Sequence, residues 1–168
     1  ILTRLVGSEM CIRDSLEVAP YFLSISPLDV EYLELVFGFD LEADTNRNDV
    51  VFEALLADSP LAGLIDIGRE WVLDAQPFVG FSLSQQCDLQ AFVEVKTRSR
   101  GSEMGQRRFD EEPISVYLTV RRFGPLETLE EFIESFGSVA GHVERLAEER
   151  VIPHVVMPIR QTLMSPPG

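Results

Sequence analysis

The chain is short of positive charge, and what it has is almost all of one kind. Its 168 residues carry 28 acidic side chains against 14 basic ones, a net charge of −14. Such a surface repels a phosphate backbone unless its cations are gathered in one place. Nucleic acid is therefore not the expected partner, and basic proteins are favoured. Only Lys96 is lysine; the other cations are arginines. Arg codons are GC-rich and Lys codons AT-rich, so a GC-rich bacterial genome explains the bias without a special role for arginine. Cysteine is scarce too. Cys11 and Cys87 are the only two, which excludes a disulfide framework and makes a reducing cytoplasm the expected compartment. No run of 18 apolar residues occurs, so no membrane-spanning helix is expected. His142 and His154 have no cysteine or further histidine at ligand spacing, so they do not suggest a zinc site or a catalytic dyad. Neither a phosphate-cradling glycine loop nor a Gly-x-Ser-x-Gly turn is present. No cofactor is expected.

What is there suffices for one core. With 45% hydrophobic residues, the chain is long enough to fold as a single domain without staples. Residues 5–15, Leu-Val-Gly-Ser-Glu-Met-Cys-Ile-Arg-Asp-Ser, look like the in-frame translation of a transposon-type sequencing adaptor. That likeness marks a metagenomic open reading frame, and residues 1–15 are set apart from the fold as artefactual. The expected organisation is one domain over 16–164 and a tail over 165–168.

Periodicity then orders the chain. Residues 16–26 read as a short edge strand, since Pro20 argues against a central one. Residues 31–42 alternate, with Leu33, Leu35, Phe37, Phe39 and Leu41 on one side, and predict a strand. Asn46 as N-cap, with Asp49 three residues on, predicts a capped helix start. Ser59-Pro60 starts a second short helix to about residue 66. Asp44-x-Asn46-x-Asn48 also echoes the opening of a calcium loop. Asp49 stands where that loop needs glycine and Leu55 where it needs glutamate, so capping is the better account.

Residues 71–98 read as two strands joined by a short polar turn. Pro77, Val79, Phe81 and Leu83 share one side of the first; Leu89, Ala91, Val93 and Val95 share that side of the second. Pairing core with core sets Phe81 opposite Ala91 and Leu83 opposite Leu89. It also sets Gly80 opposite Phe92 and Asp74 opposite Arg98. Residues 99–112 read as a mobile polar connection, and 113–123 as a strand with Ile114, Val116, Leu118 and Val120 inward. From Pro125 the period changes. Leu126, Leu129, Ile133, Phe136, Ala140, Val143 and Ala147 predict an amphipathic helix, ended or kinked at Val151-Ile152-Pro153 and followed by a short helix over 154–164. The sum is an α+β domain: a mainly antiparallel, four- to five-stranded sheet built as strand, helices, three-strand meander and long helix, with the helices chiefly on one face.

Phe92-Val93-Glu94-Val95-Lys96 carries the one string that hints at catalysis. An acid and a lysine two apart on a strand face the same side. The string resembles the acid-x-lysine strand of the PD-(D/E)xK nucleases. The resemblance covers residues 71–98 and implies a Mg²⁺-dependent nuclease using Glu94, Lys96 and, as the upstream acid, Asp74. The residues by themselves read differently. The hairpin register puts Asp74 opposite Arg98, roughly 13 Å from Glu94 at about 3.3 Å per residue, too far to share a metal. A solvated, charged strand face accounts for Glu94 and Lys96.

The face turned away from the core is expected to hold Val36, Phe78, Phe92, Tyr117 and Phe123, ringed by Glu34, Asp40, Gln90, Glu94, Lys96, Thr119 and Arg121. A solvated sheet face is more polar than this. Either residues 16–26 or the C-terminal tail cover it, or it receives a second copy, another protein or a small ligand. The functional expectation is a non-catalytic, acidic protein-interaction module of an assembly or chaperone-like kind, with a protein partner or a homodimer. The metal-dependent nuclease is the alternative.

Overall fold

The computed structural model describes Val18 and residues 26–66, 69–106, 108–109 and 112–165. The strand expected over 16–26 falls almost wholly outside them. Four strands alternate as their sequences require: β1 (Tyr32–Ala43), β2 (Phe78–Ser82), β3 (Leu89–Lys96) and β4 (Glu112–Phe123). They form one antiparallel sheet in the order β1-β4-β3-β2. The last three are a meander, and β1 lies beside β4 across the whole intervening chain.

The hairpin has the register that core-to-core pairing demands. Phe81 faces Ala91 and Gly80 faces Phe92, and the Leu83 N–H donates to the Leu89 carbonyl at 2.8 Å. The expected Asp74–Arg98 pair does not form. Backbone pairing ends where the Val95 N–H donates to the Pro77 carbonyl. Beyond it the Gln76 side chain takes the next rung, its Oε1 accepting from the Thr97 N–H. Arg98 then turns the chain with a left-handed φ of 50° and donates to the Tyr117 hydroxyl, while Asp74 accepts from Gln76 Nε2.

One face of the sheet is the core face. Ala91, Val95, Ile114, Val116, Leu118 and Val120 are buried there against Val51, Val139, Val143, Leu146, Val151 and Ile159 from the helices. Side chains of this size contribute about 1.5–3 kcal/mol each when buried.

The helices depart from expectation in four places. Helix α1 (Arg47–Leu55) starts at Asn46, whose Oδ1 accepts from the Asn48 N–H. Asp49 does not close a capping box, because its Oδ1 accepts instead from the Val72 N–H. Pro60–Leu64 winds as a 3-10 helix, with Ser59 accepting from the Leu61 N–H. The connection over 99–112 contains a short helix, α2 (Gly101–Gln106). Helix α3 (Leu129–Leu146) is capped by Thr128, and its buried line includes Val139 and Leu146, which flank the predicted stripe. Val151-Ile152-Pro153 does not end the helical chain but lies within a change of helix type. Ala147–Val156 continues as a π-helix with Pro153 inside it, and α4 (Met157–Met164) follows. Wider i→i+5 bonding re-registers the ladder around the missing proline N–H. Helix α4 packs on α1. Among the described residues no helix is long and apolar enough to cross a membrane.

Candidate functional site: the outer face of the sheet

Strand pairing lays the outward residues in rows. Phe78, Glu94, Tyr117 and Gly38 make one, and Gly80, Phe92, Thr119 and Val36 the next. Ser82, Gln90, Arg121 and Glu34 make the third, and Phe123 faces Tyr32 at the end. Phe78 is 60% exposed and Val36 58%, and Phe92, Tyr117 and Phe123 are half-buried. All five expected residues share this face. Among the described residues, the helical side chains of the core pack against the opposite face.

The rings are held in place from below and beside. A Cβ at Gly80 would lie 2.8 Å from Phe92 Cδ1, so this strand position must be glycine for the ring to lie flat across it. Phe92 stacks on Phe78 with centroids 5.8 Å apart and planes 24° apart. The Arg121 guanidinium sits 4.6 Å from the Tyr32 ring centre, 5.6 Å from Phe92 and 5.9 Å from Phe123. Arg121 Nε donates to Glu34 Oε2 at 2.6 Å, and the two side chains form an ion pair. A row Phe78–Phe92–Arg121–Tyr32 thus crosses all four strands. Each cation–ring contact at such a site is worth about 0.5–1 kcal/mol.

The sequence alone predicts Arg121 and Glu34 only as polar rim, and it does not single out Tyr32. The signal for Tyr32 was available, because it shares parity with Val36 on β1. The central place of Arg121 depends on three strands and has no local signal.

Most of the charged groups around the rings are paired within the face. Lys96 pairs with Glu94 at 2.5 Å, Ser115 donates to Asp40, and Arg98 bonds Tyr117. What this face offers a ligand is therefore ring surface and aliphatic surface, suited to apolar, aromatic or planar cationic side chains. Two clefts of about 440 Å³ lie elsewhere, one against Glu42, Asp44, Asp49 and Glu53, the other against Arg122, Glu131 and Ser135.

The nuclease-like residues stand apart. Glu94 faces Phe78 across the hairpin and is paired with Lys96, whereas Asp74 precedes β2 and bonds Gln76. Among the described residues no group of three His, Cys, Asp or Glu side chains is placed to hold a metal ion. His142 Nδ1 lies 2.7 Å from the Ser138 carbonyl of its own helix. Exposed Cys87 sits in the β2–β3 turn at φ 59°. Beside it, Asp88 is held below the usual carboxylate range, first by the Ser84 hydroxyl, then by backbone N–H groups, with Arg122 adding attraction. These groups build the turn.

A second polar cluster was not legible as such. At the start of α1, Arg47 is 0% exposed and Asn48 is buried. Arg47 Nε donates to the Thr97 carbonyl at 2.8 Å, and its Nη2 donates to both Glu103 oxygens at 2.9 and 2.8 Å. Glu103, itself 6% exposed, also accepts from the Arg100 N–H at the start of α2. Asn48 Nδ2 donates to the Leu73 carbonyl, and its Oδ1 accepts from the Ala75 N–H and the Thr97 hydroxyl. Asn46 Nδ2 donates to the Val72 carbonyl. The stretch that echoes a calcium loop is a knot of buried side chains that grip backbone. Compared with known proteins, the chain matches no family model, no curated protein and no solved structure.

Proposed function

We propose that the chain is a non-catalytic protein-interaction module, of an assembly or chaperone-like kind, that holds a basic partner polypeptide on the outer face of its sheet. The observation that carries this reading is the row Phe78–Phe92–Arg121–Tyr32, ring surface that among the described residues lies on the side away from the helices, with Phe78 60% and Tyr32 44% exposed. Apolar area of this kind supplies contact. The net charge of −14 supplies attraction for a basic chain and opposes a second copy, which carries the same charge. A bacterial cytoplasm, where both cysteines stay reduced, belongs to the same reading.

Fluorescence anisotropy with a labelled Arg- and Phe-rich peptide tests it. The parent protein is expected to bind, and Phe92→Glu to lose binding while its circular dichroism spectrum is unchanged. Equal binding by Phe92→Glu would remove the face as the site. A size-exclusion mass at the dimer value, lost on Phe92→Glu, would give the face to a second copy instead.

A further inference from the structure

Residues 97–100 carry two local costs. Arg98 has a left-handed φ of 50°, a conformation that non-glycine residues seldom adopt. The next residue, Ser99, buries its hydroxyl with no hydrogen-bond partner among the described residues. Both costs are relieved once the segment reaches water. They lie between Thr97, held by Arg47 and Asn48, and Arg100, whose N–H donates to the Glu103 that Arg47 holds.

The grips are shared. Asn48 Oδ1 serves the Ala75 N–H and the Thr97 hydroxyl together. Gln76 Oε1 of the strap accepts from the Thr97 N–H of the connection, while Arg47 bonds the connection alone, at the Thr97 carbonyl and at Glu103. Neither the strap over 71–77 nor the connection over 97–106 can leave without breaking a bond that the two make or share, at Gln76–Thr97 or at Asn48 Oδ1, and buried polar groups left without partners are costly.

We infer that residues 46–49 form a loaded clasp, so that the strap and the connection open together as one unit, separately from the paired body of the sheet. Opening frees the end of the β2–β3 hairpin, because the strap runs into β2 and the connection runs out of β3. Asn46, Asn48 and Asp49 hold the strap, Asn48 and Arg47 hold Thr97, and Arg47 holds Glu103 and with it the start of α2. The hairpin carries Phe78 and Phe92, so the device acts on the outer face, but it stands whether or not that face binds anything.

Native-state hydrogen exchange read by mass spectrometry decides the matter. Peptides within 70–77, 97–106 and 113–122 are followed in the whole chain. Thr97→Val removes the hydroxyl bonded to Asn48, and Glu103→Gln takes the charge from the group that holds Arg47 and the Arg100 N–H. Each is expected to speed exchange in both 70–77 and 97–106, Thr97→Val by about tenfold, the effect of losing one strong hydrogen bond on an opening equilibrium, and Glu103→Gln by more, because it takes the countercharge from a buried Arg47. Residues 113–122 are expected to stay as protected as in the parent. Val143→Ala, a destabilising change in α3 away from the clasp, is expected not to single out those two segments. The inference is overturned if each variant loosens only its own side, or if β4 loosens equally. Should Glu103→Gln fail to fold, the near-isosteric Thr97→Val still decides.

Discussion

Cys87 shows how much one backbone angle can decide. At φ 59° it occupies a region made for glycine. Removing a steric cost of about 1–2 kcal/mol outweighs the roughly 0.5–1 kcal/mol of extra chain entropy that glycine brings. Cys87→Gly is therefore expected to raise the urea midpoint of unfolding, and Cys87→Val to lower it. A Gly variant less stable than its parent would show that the turn is held by contacts of the thiol. Next to it, the Asp88 carboxyl is held below its ordinary 3.8, chiefly by the Ser84 hydroxyl. A carboxyl depressed in the folded state stabilises above its unfolded pKa, and that contribution is lost as pH falls through the lower, folded value. Ser84→Ala is expected to move the Asp88 titration, followed by carboxyl NMR shifts, back toward 3.8 and to flatten this part of the acid unfolding curve. An unmoved titration would hand the depression to the backbone N–H groups and Arg122.

At the scale of elements, the buried Arg47–Glu103 pair is the sharpest case. Removing one partner of such a pair costs about 3–5 kcal/mol, because a charge is left buried, whereas replacing both by apolar residues of similar size can be neutral. Arg47→Met alone is expected to lower stability by that amount, and Arg47→Met with Glu103→Leu to recover most of it, read by chemical denaturation as a double-mutant cycle. Additive losses would show that Arg47 depends on Thr97 and its other contacts more than on Glu103. This pair also marks where the sequence stops being legible. Strand faces follow from parity alone, so Gly80 opposite Phe92 and the row of Val36, Phe78, Phe92, Tyr117 and Phe123 could be read in advance. Arg47 could not, because its burial is created by a glutamate 56 residues away. The Asp74–Arg98 pair failed for a related reason: Gln76 and the φ of Arg98 end the ladder, and neither belongs to the alternation. The helical chain runs on through Val151-Ile152-Pro153 because a π-helical stretch can absorb Pro153 while Val151 stays in the core.

For the molecule as a whole, charge and shape are divided. The sheet's outer face balances its own ions in pairs, such as Arg121 with Glu34 and Lys96 with Glu94, while the chain as a whole keeps its net −14. Attraction of a basic peptide then comes from the field, and its retention from the rings. Raising ionic strength from about 0.01 M to 1 M shortens the screening length from about 30 Å to 3 Å. Affinity for the labelled peptide is expected to fall across that range, while Phe92→Ala weakens binding at both ends. Affinity indifferent to salt would mean that the rings act without the field.

The sheet order has a consequence in time. The nearest β1–β4 partners along the chain are Ala43 and Glu112. At about 5–20 residues per second, synthesis of β1 is complete roughly 3–14 s before that of its neighbour begins. For that interval Leu33, Leu35, Phe37, Phe39 and Leu41 are without the strand they pair beside and most of the core they pack into. The meander can close through local turns, but β1 must wait for a long loop to shut, which is the slow kind of step. The nascent chain is most prone to aggregate in that interval.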